Sequence, residues 1–84
     1  MEMESVFLDN LPDTANMILN ILWDRNAEMC TAELTEAVNE EYNRRWEKGM
    51  IQEFINLLVR MDYVEKKRHG LRVYYAALGS DYEL

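Results

Sequence analysis

Cysteine, histidine and long apolar runs are nearly missing from this 84-residue chain, and each shortage removes a class of protein. A single cysteine, Cys30, excludes an internal disulfide and leaves no thiolate cluster for a metal. A single histidine, His69, with no glycine-rich phosphate loop, leaves no nucleophile–base pair and no metal constellation. Neither catalysis nor a cofactor nor a bound metal is therefore expected. No apolar run approaches the length of a bilayer span. The start MEMESVFLDN carries acids where a signal peptide carries bases. These absences predict a cytoplasmic chain with no membrane partner.

Basic charge is also scarce, but unevenly so. The net charge is -7, yet residues 1–43 hold one basic residue, Arg25, against ten acidic ones. Residues 44–84 hold eight basic residues against six acidic, and residues 66–72 hold four bases and His69 with no acid. Salt screens charges separated by more than about 8–10 Å, so an acidic body with one basic prong can still meet a polyanion, weakly and with strong dependence on salt.

What is present fits one small domain. The apolar share of 49% is ordinary for a globular protein, and the length predicts a single unit over 1–84 with tails at 1–9 and 81–84. A core this size is marginally stable unless a second copy or another partner covers part of it. Leu11, Ala15, Ile18, Leu19, Leu22 and Trp23 recur at helical spacing and predict a first helix from about Leu11 to Arg25, with Asn10 as N-cap and Pro12 in the first turn. Met29-Cys30-Thr31 suits a single-bridge strand. Thr31 then caps a second helix ending near Glu41, its stripe Leu34, Ala37, Val38 and Tyr42 inward and Glu33, Glu36 and Glu40 solvated. A third helix follows from about Lys48 to Met61, with Ile51, Phe54, Ile55 and Leu58 inward, and with Asp62 at a position that favours a left-handed backbone. Beyond Asp62 the period becomes two, giving strands over 63–68 and 71–78 with His69-Gly70 at the turn.

Three helices and a hairpin with a basic tip is the winged helix-turn-helix order, mainly α with a small β wing. In that order the third helix is presented to the major groove of duplex DNA and the wing to the flanking backbone. The residues also resemble a family. Ile18-Leu19-Asn20-Ile21-Leu22-Trp23, Thr31-Ala32-Glu33-Leu34, the segment Trp46 to Val64, and the wing Glu65 to Tyr75 with its paired tyrosines are similar in order to the beta-lactamase and methicillin-resistance (penicillinase) repressors. The resemblance implies a transcriptional repressor that binds operator DNA as a homodimer and is released when a membrane-bound sensor triggers its cleavage. This sequence carries no counterpart of the C-terminal helices that dimerise the family and hold its cleavage site. The family's DNA-facing Thr and Arg positions correspond here to Met50, Gln52, Glu53 and Leu57, and its capping serine to Glu47.

The candidate contacts follow from residue chemistry. Lys66, Lys67, Arg68 and Arg72 are candidates for phosphate, or else keep a solvated hairpin soluble; Arg44, Arg45 and Lys48, opening the third helix, are candidates for the same role or balance the acidic second helix. Gln52 and Asn56, four apart on one face, can each pair with adenine, and Glu53 can accept from cytosine N4; equally, all three suit a plain exposed surface. Met50 and Leu57 are expected on the exposed side, where apolar groups suit a protein contact. The N-terminal segment Met3–Leu8 is a further candidate for pairing two copies. Trp23 and Trp46 are expected to be packing residues, Cys30 a small buried apolar one, and His69 a turn residue. The expected function is duplex-DNA binding by a repressor. The alternative is a protein-interaction module that keeps the fold without reading sequence.

Overall fold

The computed structural model describes residues 10–78. The expected tails at 1–9 and 81–84, and the Met3–Leu8 candidate, lie outside them. Three helices, α1 (Asp13–Arg25), α2 (Thr31–Tyr42) and α3 (Lys48–Arg60), precede two strands, β1 (Val64–His69) and β2 (Arg72–Ala77). Ile18, Leu19, Leu22, Leu34, Val38, Ile51, Ile55, Leu58 and Val64 are fully buried and join all three helices to the first strand in one core.

Helix α1 begins two residues later than expected. A residue preceding proline is steered away from the helical region, so Leu11 cannot open the helix, and Pro12 itself is extended (φ -61°, ψ 154°) as the N-cap. Asn10 caps nothing; its amide donates to the Tyr63 hydroxyl at 3.2 Å. The buried Asn16 amide donates instead to the carbonyls of Leu11 and Pro12, at 3.2 and 3.3 Å. The N-cap of α2 is likewise Cys30, half-buried, and not Thr31. The Glu33 carboxylate reaches back to accept from the Cys30 N–H at 3.0 Å, which satisfies a donor at a helix start where several have no intrahelical partner.

Each helix ends on a polar residue in the left-handed region: Asn26 (φ 49°), Asn43 (φ 57°) and Asp62 (φ 65°). Asn and Asp tolerate this conformation better than other residues with a Cβ. After α3 the Asp62 N–H bonds to the Val59 carbonyl at 3.1 Å and the Tyr63 N–H to the Leu58 carbonyl at 3.0 Å. These are the two bonds of a Schellman motif, and they close the helix where the sequence expected.

The strands pair antiparallel from Val64↔Ala77 to His69↔Arg72. The turn is therefore Gly70-Leu71 and His69 is a strand residue, one position off the expectation. Gly70 has φ 67°, and positive φ at only the first of two turn residues is the type II′ pattern, which matches strand twist. The expected single bridge is present: Met29 pairs with Tyr75, with bonds of 2.9 and 2.8 Å in the two directions. Met29 thus lies along the free edge of β2, opposite β1.

Candidate nucleic-acid interface

Side chains alternate across a strand, so the register divides the basic hairpin between two faces. Val64, Lys66, Arg68, Val73, Tyr75 and Ala77 share one face; Glu65, Lys67, His69, Arg72, Tyr74 and Ala76 share the other. The first is the inner face, because Val64 and Tyr75 are buried in the core and the Tyr75 hydroxyl accepts from Gln52 of α3 at 3.1 Å. Lys66 and Arg68 extend this face beyond the core and are exposed. The four phosphate candidates of 66–72 are therefore divided: Lys66 and Arg68 lie on the α3 side of the sheet, Lys67 and Arg72 on the other.

The outer face carries its own ion cluster. Residue 28 precedes the bridged Met29, so its side chain falls on the opposite face from that of Met29. The Glu28 carboxylate lies 3.7 Å from Lys67 Nζ and 2.7 Å from His69 Nε2. The His69 ring packs at 5.5 Å and 58° to that of Tyr74. Lys67 is thereby half-buried and paired with an acid, which sets it apart from Lys66 and Arg68. No sequence feature singled out Glu28; the signal was the Met29 bridge, which fixes where its neighbour points.

On α3 the outer side holds Lys48, Gly49, Glu53, Asn56 and Arg60, all exposed. Gln52 is not among them. It is half-buried, its carbonyl oxygen accepts from the Thr31 hydroxyl at 2.5 Å, and its amide nitrogen donates to Tyr75 and, at 3.0 Å, to Asn56 Oδ1. One side chain thus ties α2, α3 and β2 together, and Gln52 is consumed by structure. Thr31 is missing from its own cap for the same reason. Asn56 remains exposed, with Oδ1 directed to Gln52.

Met50 and Leu57, expected on the exposed side, are half-buried, and Leu57 packs against the core. At helical spacing, positions 50, 54, 57 and 61 form a stripe adjoining the buried Ile51, Ile55 and Leu58, which pulls it partly under cover. Met61, at the end of that stripe, is 37% exposed.

The loop before α3 is fastened by Asn39. Its amide donates to the Trp46 carbonyl and accepts from the Trp46 N–H, both at 2.9 Å. The Arg44 guanidinium then stacks 5.4 Å from the Trp46 ring centroid, a favourable cation–π geometry, and Arg45 stays exposed. Trp23 and Trp46 both pack against the core, as expected. Lys48 borders a shallow groove shared with Glu33, Glu36, Asn39 and Glu40 of α2. Lys48 therefore neighbours acids on its α2 side. Among the described residues, no cluster of three or more His, Cys, Asp or Glu is placed to hold a metal.

No family model matches the chain, and no curated protein matches it. Among solved structures, a chain from work on the DNA recognition and protein interaction domains of HOP2, and on its homologous DNA pairing properties, superposes with a TM-score of 0.66. The two are 17% identical, over 76% of this chain and 97% of the other. At that identity the likeness establishes the fold and does not reach the penicillinase repressors: the chain adopts a winged-helix fold, three helices and an antiparallel hairpin.

Proposed function

We propose that this domain binds duplex DNA, with α3 against the major groove and the inner face of the hairpin against a flanking phosphate strand. The observation that carries the reading is the Tyr75–Gln52 hydrogen bond. It sets the sheet face bearing Lys66 and Arg68 on the α3 side, so these two exposed cations and the outer side of α3 can address one ligand. The solved chain with the same fold comes from work on the DNA recognition and protein interaction domains of HOP2, which supports a binding role. The ordered resemblance of Trp46–Val64 and of the wing to the penicillinase repressors supports a cytoplasmic regulator that acts by occupying its site. Fluorescence anisotropy with a labelled duplex of about 20 base pairs, at low salt, tests the proposal. Saturable binding that weakens steeply with salt is expected. A duplex left unbound at the lowest salt refutes it.

A second reading rests on the apolar flank of α3. Met50, Phe54 and Leu57 are only half-covered and Met61 is exposed, a surface that suits a protein partner, including a second copy, better than a polyanion. The flank lies on the side of α3 away from Gln52, so both contacts can coexist. Met61→Asp should abolish a partner complex while leaving duplex binding intact; loss of both, or of neither, counts against this reading.

A further inference from the structure

We infer that Asn56 is the base-reading residue of α3, that adenine is the base it fits, and that Gln52 acts as its positioning residue. This rests on the duplex-binding reading and extends it to specificity.

The argument starts from what the amide of Asn56 has left to offer. Its oxygen takes one hydrogen bond from Gln52 Nε2 at 3.0 Å, and a carbonyl oxygen has two lone pairs. One acceptor site on Oδ1 and the donors of Nδ2 therefore remain on an exposed side chain. Adenine presents in the major groove a donor at N6 beside an acceptor at N7, the complement of one side-chain amide. Guanine presents two acceptors there, and opposes Oδ1 with its O6.

Gln52 makes this more than an exposed asparagine. A free amide rotates, and a rotated amide offers its donor and acceptor in the wrong order. Gln52 cannot rotate freely, because Thr31 donates to its oxygen while its nitrogen serves Tyr75 and Asn56. The three partners come from α2, β2 and α3, so the whole fold sets the orientation of the Asn56 amide before any base arrives. Preorganisation of this kind cuts the ordering cost of a contact.

The charge layout around Asn56 matches the same placement. Glu53, one turn away on the outer side, repels phosphate but tolerates a groove floor, where the cytosine amino group donates. Cations stand at the two ends of the helix, Lys48 and Arg60, about 18 Å apart along the axis at 1.5 Å per residue. The wing adds Lys66 and Arg68 to one side. A polar centre with a cationic rim is what a helix seated across a groove requires, since bases lie at the centre and phosphates at the rim.

Selection from duplexes with a randomised central stretch, followed by anisotropy on the enriched sequences, tests the assignment. The wild-type chain should enrich adenine at one position, and changing that base pair to guanine–cytosine should weaken binding by about tenfold. Asn56→Ala should bind both duplexes equally, with an unchanged salt slope. Gln52→Ala should lose part of the preference, with a thermal melt confirming that it folds. Adenine preference that survives Asn56→Ala would overturn the inference. So would wild-type binding that is salt-dependent yet indifferent to sequence, which leaves the duplex-binding reading standing. Absence of any duplex binding removes both.

Discussion

The division of the wing cations between two sheet faces can be tested by removing them in pairs. One double variant, Lys66→Gln with Arg68→Gln, strips the inner face; the other, Lys67→Gln with Arg72→Gln, strips the outer face. Each lowers the net charge by the same amount, so any effect of bulk charge cancels between them. Each phosphate neutralised contributes about 0.9 to the slope of log affinity against log salt. The inner-face pair should therefore lower the slope by about 1.8. Between roughly 50 and 200 mM salt, one such contact accounts for about a 3.5-fold loss of affinity and two for about twelvefold. The inner-face variant should thus lose about twelvefold less than wild type over that range, starting from a weaker affinity. The outer-face variant should keep the wild-type slope, because Lys67 already faces Glu28 and both its cations point away from α3. Anisotropy titrations at four or five salt concentrations measure all three slopes. Equal reductions in the two double variants would show that the sheet face does not govern contact, and the geometric reasoning would fail.

Three further outcomes follow from the fold. Leu58→Ala, at a fully buried position, should cost about 2–5 kcal/mol in urea denaturation, a large share of the 5–15 kcal/mol typical of a domain. Gly70→Ala should lower the melting temperature, since φ 67° costs a residue with a Cβ about 1–2 kcal/mol; Asp62→Gly, at φ 65°, should raise it. Asn39→Ala removes both bonds that hold Trp46 and should cost about 1–3 kcal/mol in the same denaturation, with faster amide exchange at Trp46 than elsewhere.

Much of this fold is legible in the residues because the information is local. The period of Ile51, Ile55 and Leu58 is enough to place α3, Asp62 marks its end, and the short Met29 segment shows its single bridge. The caps of α1 and α2 escape a local reading because Asn10 and Thr31 have better partners far away in sequence, Tyr63 and Gln52. The site is less legible still. Strand alternation alone separates Lys66 and Arg68 from Lys67, and a turn at 69–70 or at 70–71 leaves Arg72 on the Lys67 face; which of the two faces is the inner one depends on Tyr75 meeting Gln52, 23 residues away in sequence. Met50 and Leu57 looked exposed by correspondence with another family's DNA-facing positions, whereas helical geometry sets them beside the core stripe.

A chain with net charge -7 that binds a polyanion is a contradiction only if charge is averaged. The acids of α2 (Glu33, Glu36, Glu40) are exposed along that helix, and Glu28 stands on the outer sheet face against Lys67 and His69. Lys66 and Arg68 stand exposed on the inner face, toward α3. At physiological salt the field of a charge decays over about 8 Å, so phosphates seated on the wing respond mainly to Lys66 and Arg68. At longer range, and at low salt, the acids matter, and they repel approach by any other side. In the proposed complex, carboxylates placed this way would reduce non-specific affinity and penalise wrong orientations, adding to specificity through rejection what Asn56 would add through fit. On the duplex-binding reading proposed above, the acidic composition that argues against DNA binding becomes the feature that orients it.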